Sequence, residues 1–93
     1  MTKYSNTQFE EEIDILEKID VQKNLILYND DYNTFDHVIN CLVEYCKHNF
    51  IQAEQCAYIV HYNGKCVVKG GSFKELKPIK EALQEKGLSV VIS

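Results

Sequence analysis

The first half of the chain combines a short apolar run with a helical periodicity. Residues 24–28 are mostly apolar and are closed by the polar run Asn29-Asp30-Asp31, which predicts a buried strand that ends in a turn. From residue 35 onward, apolar side chains recur every three or four positions, which predicts a helix over residues 34–48. Asn33 is placed to cap this helix, with the carboxylate of Asp36 at the third helical position.

Two further elements follow in the middle of the chain. Small and apolar side chains share one face over residues 52–60, which predicts a second, shorter helix. Asn63-Gly64 indicates a turn, and the apolar residues 66–68 predict a second strand, which Gly70-Gly71 is expected to break.

A third helix is predicted before the last strand. Ser72 and Glu75 have the spacing of a capping box, and Gly87 is placed just beyond the helix end at Lys86. Because proline is poorly tolerated inside a helix, Pro78 suggests that the regular part begins only there. Residues 88–92 then predict a third strand.

The order of these elements is β-α-α-β-α-β, which predicts an α+β fold. Three strands form an antiparallel sheet with the helices packed on one face, so that the apolar faces are buried in two layers. Residues 24–93 form this single core domain. Residues 1–23 carry acidic clusters around a few apolar positions, too few for a stable isolated helix, and are expected to form a flexible N-terminal arm.

Charge and hydropathy exclude several classes of protein. The net charge is −4 and the isoelectric point is near 5.3, which argues against a partner that is nucleic acid or an anionic membrane surface. No apolar run is long enough to cross a membrane, and the first twelve residues have no apolar centre for a signal peptide. We therefore expect a cytoplasmic protein.

The four cysteines, Cys41, Cys46, Cys56 and Cys66, contain no C-x-x-C pair, so the usual zinc and thioredoxin spacings are absent. They are expected to be free, mostly buried thiols. His37 and Cys41 lie four residues apart on a predicted helix, but two ligands do not make a zinc site. A small thiol or metal enzyme that uses Cys41 or Cys66 remains an alternative.

Two short segments carry a resemblance to a known family. The first is Leu27-Tyr28-Asn29-Asp30-Asp31-Tyr32, and the second is Val60-His61-Tyr62-Asn63-Gly64-Lys65. In order and separation they resemble the signature segments of the ClpS family: an N-D-D turn that leads into the first helix, and a V-H-x-x-G-K motif after the second. The resemblance covers residues 24–93, and the family fold agrees with the predicted element order.

This resemblance implies an adaptor and no enzyme. ClpS proteins bind the free α-amino group of proteins with a bulky hydrophobic first residue (Phe, Leu, Tyr or Trp) and pass them to the N-terminal domain of a Clp ATPase of the ClpA or ClpC type. The implied amine acceptors are the side chains of Asn29, Asp31 and His61, with Asp30 adding charge from further away. No cofactor or metal is implied.

The resemblance also implies an apolar pocket between the helices for the first side chain of the bound protein. The candidate lining residues are Phe35, Val38, Ala57, Val60 and Leu88. Where the family has Thr-Pro-Met, this chain has Asn33-Thr34-Phe35, so the preference among first residues is not inherited. The face that docks the ATPase in the family, around Lys74, Glu75 and Lys80, matches only loosely.

A second class of function stays open at this point. A generic protein-interaction module of the same fold would dock a partner through a helix face and would not need the pocket. In that case Asn29, Asp31 and His61 would tolerate alanine without loss of partner binding.

Overall fold

The computed structural model describes residues 21–93, which form three strands and three helices. In chain order the elements are β1 (Lys23–Tyr28), α1 (Phe35–Cys46), α2 (Phe50–Asn63), β2 (Lys65–Gly71), α3 (Phe73–Glu85) and β3 (Ser89–Ile92). This confirms the predicted β-α-α-β-α-β order. The predicted arm lies outside the described residues except for residues 21–23, and β1 begins at Lys23.

The sheet has the order β2-β1-β3, and both pairings are antiparallel. The central strand β1 alternates: Leu25 and Leu27 are 0% and 1% exposed, whereas Ile26 between them faces the other side of the sheet. Ile26 pairs with Val67 of β2 and Val91 of β3, both of which are exposed. The helices therefore cover one face of the sheet only, as predicted.

The core lies between that face and the helices. Each helix contributes at least one leucine or small side chain to a continuous buried cluster, which includes Leu42, Ala53, Leu76 and Leu83. The same layer holds the three buried thiols described below. At one end of the sheet, where β1 runs into α1, the turn residues Asn29 and Asp31 are exposed to the solvent.

The start of α1 differs from the prediction. Thr34 caps the helix: its hydroxyl oxygen accepts a hydrogen bond from the His37 amide at 3.1 Å. Asn33, the predicted cap, instead directs its side chain to Asp30 and Gly87. The prediction of Asn33 was wrong because two adjacent residues were both good caps, and the tertiary partners of Asn33 decided between them.

The second helix and the second strand are longer than predicted. Asn49 caps α2, which therefore begins at Phe50, and α2 continues to Asn63 before Gly64 ends it with φ 93°. In β2, Gly70 and Gly71 do not break the strand, because they pair with Asn24 and Lys23. The pairing with a central strand offsets the conformational cost of the two glycines.

The third helix begins at Phe73 with Pro78 inside it, so the prediction that its regular part begins only at Pro78 was wrong. The predicted capping box is present, with Ser72 and Glu75 bonded to each other's backbone amides. This box and the fully buried Leu76 hold the first turn, so the helix continues through the proline. The helix ends at Glu85, one residue before the predicted end, and Lys86 is its cap. The predicted position of Gly87 after the cap is confirmed: Gly87 has φ 87° and its amide bonds the Gln84 carbonyl, while the next amide bonds Leu83, which is a Schellman motif.

Candidate functional site

A tight turn follows β1 at this end of the sheet. One carboxylate oxygen of Asp30 accepts hydrogen bonds from the amides of Tyr32 and Asn33, both at 2.8 Å. The other oxygen accepts from the Asn33 side-chain amide at 2.7 Å. The Asn29 amide bonds the carbonyl of Gly64 at 2.8 Å and so joins the turn to the end of α2. Asp30 therefore organises the turn from within.

These bonds affect the acidity of Asp30. Partial burial by itself would raise the pKa of the carboxyl group. The hydrogen bonds from Asn33 and Tyr32 outweigh that effect, and the pKa lies below its usual value. Asp30 is consequently a carboxylate at neutral pH, and both of its oxygens already accept hydrogen bonds within the turn.

The turn is also held to the end of α3. The Asn33 side chain donates to the Gly87 carbonyl at 2.9 Å, and His37 Nε2 lies 2.8 Å from the Lys86 carbonyl oxygen. Since a carbonyl can only accept, His37 carries a proton on Nε2. The carbonyl of Lys86 belongs to the cap residue of α3 and that of Gly87 to the residue after it, so both bonds fasten the turn to the end of α3.

A depression of about 310 Å³ opens between this turn and the two first helices. Its lining residues come from the turn and from α1 and α2: Asn29, Asp30, Asp31, Asn33, Thr34, Phe35, Val38, Ala57, Val60 and His61. Eight of the nine site residues predicted from the sequence lie on this single surface. The ninth, Leu88, lines a small adjoining cavity of about 20 Å³, which shares Val38 and Val60 with the depression.

The depression has a polar mouth and an apolar interior. Within residues 21–93, no hydrogen bond engages the side chains of Asn29, Asp31 or His61, and all three are exposed. Below them, Ala57 and Val60 are buried and Val38 is half-buried. Acceptor groups that are free to bind a ligand therefore surround an apolar hollow.

Sequence reasoning missed two residues of the depression, Asn33 and Thr34. Asn33 had been predicted as a helix cap and Thr34 only as part of the departure from the family pattern. The one signal that could have indicated the role of Asn33 is its position three residues after Asp30, the spacing at which an aspartate side chain closes a turn.

The four thiols are free, and three of them are buried, as predicted. Burial raises the pKa of Cys41, and it raises the pKa of Cys46 to about 11 and that of Cys56 to about 12. His37 Nε2 lies 3.7 Å from Cys41 Sγ, but its proton is directed to the Lys86 carbonyl. A buried thiol with a raised pKa is a weak nucleophile, so the geometry gives no support to a thiol enzyme that uses Cys41.

The described part of the chain shows neither a metal-binding cluster nor a membrane span. Residues 21–93 contain no cluster of three or more histidine, cysteine or acidic side chains that could hold a metal ion. None of the helices in that part is long and apolar enough to span a membrane.

Taken together, the fold and the depression define a small α+β domain with a ligand-sized hollow and acceptor groups at its mouth. Comparison with known proteins identifies the family. The sequence model of the ATP-dependent Clp protease adaptor protein ClpS matches residues 7–91. The chain therefore belongs to the ClpS family of Clp protease adaptors.

Several relatives show the extent of the similarity. The chain is 34% identical over 67 residues to the ClpS adaptor of Thermosynechococcus vestitus, with 71% of each chain covered. It is 31% identical over 67 residues to that of Synechocystis, covering 71% of this chain and 68% of the relative. Among solved structures, Agrobacterium tumefaciens ClpS2 bound to L-phenylalaninamide has the same fold, with a TM-score of 0.66 at 19% identity, covering 77% of this chain and 94% of that one.

Proposed function

We propose that this adaptor binds the free N-terminus of proteins with a bulky hydrophobic first residue and delivers them to a Clp ATPase for degradation. The observation that carries the proposal is the coincidence of exposed acceptors and an apolar hollow in one depression of about 310 Å³. This volume lies at the lower end of the range for small-ligand pockets, which suits a single side chain.

The acceptors match the chemistry of an α-amino group. Such a group has a pKa near 7.7–8.0, so at neutral pH it is mostly a cation with three N–H donors. Asn29, Asp31 and His61 offer an amide oxygen, a carboxylate and an imidazole nitrogen, none of which is engaged elsewhere in residues 21–93. The contact with the carboxylate would be a charge-assisted hydrogen bond.

The apolar interior supplies the second half of the recognition. A large apolar side chain contributes about 1.5–3 kcal/mol when it is removed from water. The hollow is lined by Phe35 and Val38 of α1 and by Ala57 and Val60 of α2, with Leu88 at the adjoining cavity. The ligand of the Agrobacterium structure, L-phenylalaninamide, combines a free amine with a benzyl side chain, which is the same pair of features.

The proposed partner is the N-terminal domain of a Clp ATPase of the ClpA or ClpC type. We place its docking face on α3, around Lys74, Glu75 and Lys80. Lys74 is exposed and Lys80 is half-buried, whereas the Glu75 carboxylate accepts the Ser72 amide in the capping box. Lys74 is therefore the member of this face that is best placed to bind a partner.

The proposal is tested by fluorescence anisotropy with a labelled peptide that begins with phenylalanine, beside an N-acetylated twin. The free peptide should bind and the acetylated one should not, because acetylation removes the charge and two of the three donors. If peptides beginning with Phe, Leu, Tyr and Trp all fail to bind, the amine-recognition role is wrong. An interaction module of the same fold would then explain the family match better.

A pH dependence follows from the proposed role of His61. A protonated imidazole has no acceptor nitrogen and repels an ammonium group, so protonation should weaken binding. Histidine side chains generally gain their proton between about pH 8 and 5. Affinity for the free peptide should fall about three- to tenfold from pH 7.5 to pH 5.5.

The matched control for this measurement is His61→Gln, which keeps an acceptor oxygen but does not titrate. The variant should bind with a nearly flat profile over the same range, even if its affinity is lower. If the unmodified protein has the flat profile, His61 does not accept a hydrogen bond from the amine.

A further inference from the structure

A group of four aromatic rings adjoins the depression on the side of α2. The ring centroid of Phe35 lies 5.1 Å from that of Tyr58 and 5.0 Å from that of His61. Tyr62 completes the group, 4.9 Å from His61 and 6.2 Å from Tyr58, to which its ring is nearly parallel. We refer to Phe35, Tyr58, His61 and Tyr62 as the aromatic ledge.

The ledge is not explained by folding. Tyr62 is 75% exposed, Tyr58 49% and Phe35 37%, and none of the four belongs to the buried cluster or to the half-buried side chains packed on it. Aromatic rings that stay in contact with each other and with water at the edge of a pocket are typical of binding surfaces. Two of the four, Phe35 and His61, also line the depression, so the ledge continues its wall.

The charges around the ledge favour a cation. Neither α1 nor α2 contains a lysine or arginine, whereas Asp36 is exposed beside Phe35, and Glu54 lies one helical turn before Tyr58. Asp31 adds a carboxylate at the mouth of the depression. Ring faces attract cations, and a planar guanidinium group can in addition stack on them.

The position of the ledge determines which part of a ligand can reach it. In the proposed complex, the amine lies against Asn29, Asp31 and His61 at the mouth of the depression, and the first side chain points between α1 and α2. Phe35 and His61 line the depression and also contact the rings of Tyr58 and Tyr62, so a bound chain that leaves the depression past Phe35 and His61 passes over the ledge. The second residue follows about 3.8 Å further along the backbone, so its side chain reaches Tyr58 and Tyr62.

We infer that the aromatic ledge is a second subsite, which binds the side chain of the second residue of the substrate and selects arginine there. This inference rests on the proposed function, because it requires the first residue to be bound in the depression. The selectivity is expected to come from contact with the aromatic rings and not only from the negative charge nearby. Because a guanidinium group can stack on the rings, arginine should be preferred to lysine as well as to neutral and acidic residues.

The test uses four labelled peptides with free N-terminal phenylalanine that differ only in their second residue: alanine, arginine, lysine or glutamate. Anisotropy titrations with the full-length chain should give a Kd about two- to fivefold lower for Phe-Arg than for Phe-Ala. Phe-Lys should lie between these two, and Phe-Glu should bind most weakly.

The matching variant is the double substitution Tyr58→Leu and Tyr62→Leu, which removes two ring faces and keeps good helix-forming residues. In this variant the ratio of the Kd values for Phe-Ala and Phe-Arg should fall to about one. Phe50→Leu is the control: Phe50 is also an exposed aromatic residue of α2, about 12 Å before Tyr58 along the helix axis. This control should keep the full ratio.

The outcomes separate the ledge from the proposed function. If Phe-Ala does not bind, both proposals are wrong. If Phe-Ala binds but Phe-Arg is no better, or if arginine and lysine are equal and unaffected by loss of the rings, only the ledge is wrong. A ratio that survives in the double variant while its sedimentation changes would mean that the rings join two copies of the chain, which also overturns the inference.

Discussion

Substitution of Asp31 by alanine should weaken binding of a free Phe-Ala peptide about 10- to 150-fold. Two carboxylates line the depression, Asp30 and Asp31. The oxygens of Asp30 accept hydrogen bonds within the turn, so Asp31 is the only one of the two whose oxygens form no hydrogen bond within the described residues. A hydrogen bond to a charged group contributes about 1.5–3 kcal/mol, and 1.4 kcal/mol corresponds to a factor of ten in Kd. The loss of this bond gives the expected range.

The free energy of unfolding should change little in the same variant, because Asp31 is exposed and forms no hydrogen bond within residues 21–93. Asp36→Ala is the matched control, because this substitution also removes one negative charge. Asp36 is exposed like Asp31 but does not line the depression. Equal losses of affinity in the two variants would mean that only the general negative charge matters, and that Asp31 has no specific contact with the amine.

Substitution of Asp30 by alanine, in contrast, should lower the stability of the folded protein. Three donors lose their acceptor: the amides of Tyr32 and Asn33 and the side chain of Asn33. Because Asp30 is only half-buried, water can replace part of these bonds, and the free energy of unfolding should fall by about 1–2 kcal/mol. In a domain of this size that lowers Tm by about 4–16 °C.

Peptide affinity should fall at least several-fold in Asp30→Ala as well, because Asn29 and Asp31 lose the turn that positions them on either side of Asp30. Thermal melts and anisotropy titrations of both variants, Asp30→Ala and Asp31→Ala, therefore distinguish the roles of the two aspartates. Asp30→Ala should lower both stability and affinity, whereas Asp31→Ala should lower affinity alone. A reversed pattern would assign the amine contact to Asp30.

The stability difference caused by Asp30→Ala should also depend on pH. The pKa of Asp30 in the folded protein lies below the ordinary value of 3.8, so its contribution to stability is complete well above that value. It is lost as the pH falls through the lower, folded-state pKa. The melting temperatures of the unmodified protein and the variant should therefore differ at pH 7 and converge as the pH is lowered below about 4.

The local structure of this chain could be predicted from the sequence because its signals are local. The apolar run of residues 24–28, the helical spacing from residue 35 and the Ser72–Glu75 capping box are each local signals that span only a few residues. The element order then limits the topology to a few arrangements. Element ends were less well predicted, as α2 shows: it extends beyond residues 52–60 at both ends.

The family resemblance named most residues of the depression and their expected roles, but the sequence alone gave no physical reason for those roles. The two segments around Asn29 and His61 were identified as motifs, and the structure brings them to one depression. Which of the two adjacent aspartates stays available for a ligand is not encoded in the residue type. The availability of each aspartate depends on which carboxylate accepts hydrogen bonds from the amides of the turn. The backbone path between β1 and α1 determines that this carboxylate is Asp30.

By itself, the sequence determined the strands and the helices, because each is specified by spacing along the chain, and its resemblance to the ClpS family named most of the side chains that line the depression. Only the tertiary structure decided that Asn33 bonds Gly87, 54 residues away, and that four rings of α1 and α2 meet in a ledge beside the depression. The physical reason is the same in both cases: contacts between distant segments form only when packing of the core has set the helix ends and faces in position.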